Sequence, residues 1–206
     1  MTGASHRNAA FLPREELDGL GFAHLGRNVR IHSSCVLVNC QNMTIGDEVR
    51  IDPFCLLSAS GGIEIGRHVH IASQCVLMGS APISLADFAG LSHGVRLLSA
   101  ADDFVGGALI GPTVPDAFRN VDARPIRLAR HAVIGAGSLV LPGAVLEEGA
   151  TVGALSLVKG RLDAWAVHAG CPTRRIAARD RAGVLDAERR FLASLDPALH
   201  PALAAG

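Results

Sequence analysis

The chain has 206 residues, with 19 Lys and Arg balanced by 19 Asp and Glu. That balance excludes the basic excess on which non-specific nucleic-acid binding rests, so no nucleic-acid partner is expected. A hydrophobic share of 49% against 18% charged excludes general disorder, and only 4% aromatic residues require an aliphatic, small-residue core.

The first ten residues lack the apolar run of a signal peptide. No apolar stretch reaches the roughly 18 residues that a spanning helix needs, so no membrane association is expected. Five cysteines, an odd number without a CxxC pair, argue against a disulfide framework and for a reduced, cytoplasmic protein.

In chain order, residues 13–20 (PREELDGL) read as a short helix. Pro13 suits a first turn, and Glu15 and Glu16 suit its positive end. A repeat follows. Leu25, Ile31 and Leu37 are six apart, and Ile45, Ile51, Leu57 then restart the cycle after a step of eight. The coil period of 20 continues through Ile65, Ile71, Leu77 and Leu85, Leu91, Leu97. After a break the six-residue step resumes at Leu128, Ile134, Val140, Leu146, Val152 and Val158. Three short strands and three turns per period predict a triangular parallel β-helix with an inward aliphatic column. At about 4.8 Å per rung, six coils make a prism about 30 Å tall.

The break runs from Leu97 to Leu128 and predicts a projecting loop over about 101–126, rich in Pro and Gly and without helical period. Residues 180–195 read as an amphipathic helix, with Val184, Ala187, Phe191, Leu192 and Leu195 on one side. Helices at the two ends would cover exposed strand edges. The fold class expected is an all-β solenoid, with an N-terminal cap over 1–24, the β-helix over 25–176 and a C-terminal helix and tail over 177–206.

Several residue sets could carry chemistry. Cys35, Cys55 and Cys75 recur at the coil period, as a metal ladder or as small inward side chains; the second fits their neighbours Val29, Val49 and Val69. His68 and His70, two apart on a strand, would share a face, but no third ligand stands near and no metal is expected. Gly135, Ala136, Gly137 and Ser138 recur 18 residues later as Gly153, Ala154, Leu155 and Ser156, so the two segments stack. Their small side chains would leave a groove where backbone groups meet an extended ligand. Lys159 opens a stretch to Arg190 with eight basic and four acidic residues, suited to phosphates. Trp165 could cover an aromatic ligand or pack beneath the C-terminal segment.

The [LIV]-G-x4 pattern, three per coil, resembles the hexapeptide-repeat acyltransferases. The segments FLPREELDGLGF, IGDEVRIDPFCLLSAS, SAADDFVGGALIGPTVPDAFRNV and HAVIGAGSLVLPG are most similar to their dTDP-4-amino-4,6-dideoxyglucose N-acyltransferase subgroup. The resemblance implies a left-handed coil, a homotrimer, and acyl transfer from a CoA thioester, acetyl-CoA foremost, to the amino group of a nucleotide-linked sugar. It assigns the pantetheine arm to the groove at Gly135, Ala136, Gly137, Ser138, Gly153 and Ala154. The phosphates fall to Lys159, Arg174 and Arg175. Residues 169–176 (AGCPTRRI) resemble the family's closing GxPAKxI motif, with Cys171 and Thr173 as departures. Ser92 and Asp102 match active-site positions, Asp103 is the fallback, and His93 stands beside Ser92. The projecting loop carries no His, which favours N-acylation; an O-acetyltransferase using His93 as base is the alternative. A β-helical assembly protein or a metal-dependent lyase is a further one.

Overall fold

The computed structural model describes residues 10–195. Three parallel sheets stack short strands, one from each coil. In the first sheet Leu25 lies over Ile45, Ile65, Leu85, Leu128, Leu146 and Leu162 in turn. The pairing of Leu85 with Leu128 bridges the break, so the projecting loop leaves the stacking register untouched. In the second sheet Ile31, Ile51, Ile71, Leu91, Ile134 and Val152 form the matching column, each at most 2% exposed. Leu57, Leu77, Leu97, Val140 and Val158 do so in the third.

The described residues form seven coils, not six, the last being incomplete. Its strands, Arg161–Leu162 and Ala166–Ala169, point Leu162, Ala166 and His168 inward. The step from Val158 to Leu162 is four rather than six, and a histidine takes an aliphatic place, so the repeat fades from the sequence before it ends in space.

The first helix, α1 (Arg14–Gly19), sets Leu17 into the core at 1% exposure and closes the first coil. Arg14 fastens it by donating from Nη1 and Nη2 to the carbonyls of Gly26 and Leu25. At the other end the chain reverses after Ala169. Strand Arg174–Ala178 then pairs antiparallel with Ala166–Ala169 and covers the edge of the second sheet. The C-terminal helix, α2 (Arg181–Ser194), is therefore not an end cap. It runs along the side of the prism, over the corner between the first and second sheets. That corner is a column of left-handed residues, Glu48, His68, Phe88, His131 and Trp165, with φ between 51° and 60°. Phe88 stacks between His68 at 4.9 Å and His131 at 5.2 Å, and Phe191 of α2 meets His68 and Phe88 edge-on. Stacking offsets a backbone conformation that bulky side chains disfavour. Glu188 accepts hydrogen bonds from Arg130 and His131 and pins α2 to this corner.

Candidate functional site

The second corner, between the second and third sheets, gathers most of the residues singled out in the sequence. Ser92, Gly135, Gly153 and Ala169 follow one another where the second-sheet strands end. His93, Ala136, Ala154 and Gly170 form the next column outward. The glycine at 135 is a packing requirement: a Cβ there would lie 2.5 Å from the backbone N of Ala154. Small side chains thus make a shallow, unbroken track from Ser92 to Gly170. Arg174 and Arg175 pair across from Ala169 and His168 at its far end, both exposed.

Three details depart from the sequence reading. The N–H groups of Gly135, Gly137 and Gly153 donate to the adjacent coil, to Val152, His93 and His168 carbonyls at 2.7–2.8 Å. Those three donors are therefore already satisfied by the chain itself. Ser138 is 1% exposed; its hydroxyl donates to the Gly153 carbonyl and accepts from Ser156 N, so it seals the seam between coils and faces no ligand. Lys159 stands at the third corner, beyond the strand Leu157–Val158, whereas Arg174 and Arg175 lie at the second-corner end.

Cys35, Cys55 and Cys75 are small inward side chains whose thiols donate to corner carbonyls, of Asp52, Ala72 and Ser92 in turn, at 3.1–3.2 Å. His68 and His70 do not share a face, because His68 belongs to the left-handed corner and the strand begins at His70. His70 Nε2 is 2.8 Å from Asp52 Oδ2. Burial alone would raise the Asp52 carboxyl, but bonds from His70 and Arg50 outweigh it and hold it below the usual range. Among the described residues no group of three His, Cys, Asp or Glu converges on a metal position. Trp165 packs beneath the C-terminal segment, with the Arg179 and Arg181 guanidiniums 5.9 and 5.8 Å from its ring.

The projecting loop is more ordered than its composition suggests. Ala100–Asp102 and Val121–Ala123 form an antiparallel ribbon at its base, with a 3-10 turn at Asp116–Phe118. The ribbon brings Arg119 back to Asp102: Nη2 donates to Oδ1 at 3.0 Å, and Gly111 N donates to Oδ2 at 3.3 Å. Asp103 is a loop clasp, accepting from Val105 N and Asn120 Nδ2; these two bonds lower its pKa. Arg119 went unremarked in the sequence, where a basic residue 17 positions from Asp102 means nothing until the ribbon is known. It lines a cleft of about 560 Å³ with Ser58, Ser60, Ser80 and Asp116. Ser92 and His93 open instead on a separate cleft of about 230 Å³, across the strand Arg96–Leu98 from Asp102. One chain therefore holds the two halves of the expected site at different corners.

These features define a hexapeptide-repeat acyltransferase, and the comparisons narrow the class. No family model matches the chain. It is 36% identical over 173 residues to the dTDP-4-amino-4,6-dideoxy-D-glucose acyltransferase of Escherichia coli, covering 84% of this chain and 90% of the relative. The chain belongs to that acyltransferase family. AntD, an N-acyltransferase from Bacillus cereus solved with dTDP and 3-hydroxybutyryl-CoA, superposes with a TM-score of 0.87 at 41% identity, over 90% of this chain and 98% of that one. A coil of the opposite hand could not superpose so, and the β-helix is left-handed. AntD has also been solved with an aspartate replaced and, ten positions earlier, with a serine replaced, the latter with dTDP-4-amino-4,6-dideoxyglucose and CoA bound. A hexapeptide-repeat acetyltransferase of Vibrio cholerae, solved with acetyl-CoA, shares the fold at 21% identity and a TM-score of 0.56 over 80% of this chain and 75% of that one.

Proposed function

We propose that this protein transfers an acyl group from a CoA thioester to the amino group of a nucleotide-linked amino sugar, dTDP-4-amino-4,6-dideoxyglucose being the first candidate. The observation that carries this reading is the track at the second corner. It offers an extended thioester a path from a cationic end at Arg174 and Arg175 to Ser92. Ser92 and Asp102 are ten positions apart, the same residue types at the same spacing as the pair replaced in AntD. Acetyl-CoA is the first donor to be tried.

The chemistry needs little from the protein. The amine, once neutral, attacks the thioester carbonyl through its lone pair. Asp102, oriented by Arg119, holds the amine and stabilises the positive charge that builds on nitrogen. Ser92 donates to the thioester end. The C–S bond breaks as the tetrahedral intermediate collapses, and the nitrogen's proton leaves with the CoA thiolate. Gly135, Ala136, Gly137, Gly153 and Ala154 floor the pantetheine path.

Because Ser92 and Asp102 lie at different corners, the working unit is a homotrimer in which one subunit's loop meets another's track. Exposed apolar side chains on the third sheet and second corner, Val36 at 55%, Phe54 at 66% and Leu155 at 80%, support such an interface. Light scattering is expected to give three chains; an active monomer would contradict it. A cytoplasmic place, supported by five free cysteines, and a role in building lipopolysaccharide sugars belong to the same proposal. The direct test offers dTDP-, UDP- and GDP-linked amino sugars with acetyl-CoA and reads thiol release and product mass. A dTDP-linked amine gaining one acyl group is the expected result. CoA release with none of these acceptors would remove the reading.

A further inference from the structure

Gly90 is an unexpected residue for its place. The outward positions of neighbouring second-sheet rungs carry Arg50, His70, Val133 and Thr151, and Gly90 alone among these lacks a side chain. A glycine inside a strand weakens it, and β-branched residues suit such positions better. Neither usual reason for a glycine applies. Its φ is outside the left-handed range. A Cβ built there would find no atom nearer than the His70 carbonyl and a Val133 methyl, both at 4.0 Å. The chain's own packing therefore tolerates a side chain at this position.

The missing side chain does one visible thing: it floors the cleft of about 230 Å³ beside Ser92 and His93. Val133 and Ala72 give it apolar walls, and His70, fixed by Asp52 at 2.8 Å, gives it a polar one. At about 30 Å³ per water this is roughly eight water volumes, more than the two carbons of an acetyl group need.

We propose that the cleft over Gly90 receives the acyl chain of the thioester, and that it takes chains longer than acetyl. The inference rests on the acyltransferase reading above and deepens it by naming the donor class. The thioester carbonyl held at Ser92 leaves its chain pointing along the second-sheet surface, where the notch is the available apolar recess. A side chain at position 90 would stand in that recess and shorten it.

The test measures kcat/KM for acetyl-CoA and butyryl-CoA with dTDP-4-amino-4,6-dideoxyglucose as acceptor, in the unaltered protein, Gly90→Ala and Gly90→Val. The unaltered protein is expected to use butyryl-CoA at least as well as acetyl-CoA. The butyryl-to-acetyl ratio is expected to fall in Gly90→Ala and to fall further, by at least about tenfold, in Gly90→Val, since a methylene-sized change in an apolar pocket is worth about 10–200-fold. A ratio unmoved in both variants would overturn the proposal, as would an unaltered protein that strongly prefers acetyl-CoA. A changed molecular mass in Gly90→Ala or Gly90→Val would also overturn it, by making the glycine a seat for a second copy. If neither thioester is consumed with any amino-sugar acceptor, the acyltransferase reading falls and takes this one with it, an outcome distinct from the other three.

Discussion

At the scale of single residues, the resemblance singles out Ser92 and Asp102 because residue type and spacing along the chain are sequence properties. Arg119 was not legible, since its tie to Asp102 depends on a ribbon whose register no local pattern announces. Ser138 shows the converse: a small polar residue in a glycine-rich turn looked available, but the rung spacing leaves its hydroxyl no direction except inward. The charge roles make a prediction. Asp102→Asn should lower kcat by about 10²–10³, the usual cost of losing one preorganised electrostatic group, and leave acyl-CoA binding by calorimetry intact. His93→Ala should cost far less. A dead His93→Ala beside a nearly normal Asp102→Asn would point to base-assisted transfer to a hydroxyl.

At the scale of elements, strands and turns followed from a six-residue alternation that can be counted, whereas the placement of α2 could not be counted. Its inward face is set by Glu188 and Phe191 meeting the His68–Phe88–His131 column, and those partners lie 57 to 123 residues away in sequence. Adjacent coils are also clasped by ion pairs one period apart, Arg27 with Asp47 and Arg67 with Asp87, at 2.7 and 2.8 Å. Burial would raise the Asp87 carboxyl, but the Arg67 N–H and guanidinium outweigh it and hold it below the usual range. Asp47 is lowered in the same way by Arg27. A carboxyl depressed in the folded state binds its proton less readily than in the unfolded chain. Its stabilisation is therefore present above the unfolded value, about 3.9, and lost as pH falls through the folded one. The buried His131, whose pKa burial lowers, should bring a first decline in urea midpoint as pH falls below about 6.5, and the carboxylate clasps a second one below about 4. Asp87→Asn should lose about 1–2 kcal/mol at pH 7 and show a shallower acid decline; an unchanged acid profile would show that these clasps contribute nothing.

At the scale of the whole molecule, the solenoid was evident from 25 to 158 because every coil repeats the same inward column, and it faded where Leu162 and His168 break the step. The halves of the proposed site could not be joined from sequence, because the corner carrying Ser92 and the loop carrying Asp102 belong to different edges of the prism. What joins them is the proposed reaction itself, transfer to nitrogen and not to oxygen. The most direct measurement compares dTDP-4-amino-4,6-dideoxyglucose with the analogue bearing a hydroxyl in place of that amine, each with an acyl-CoA donor, and reads product mass and thiol release. The amine is expected to become an amide with one thiol released per acyl group, and the hydroxyl analogue to be essentially inert. Comparable acylation of the hydroxyl analogue would contradict it.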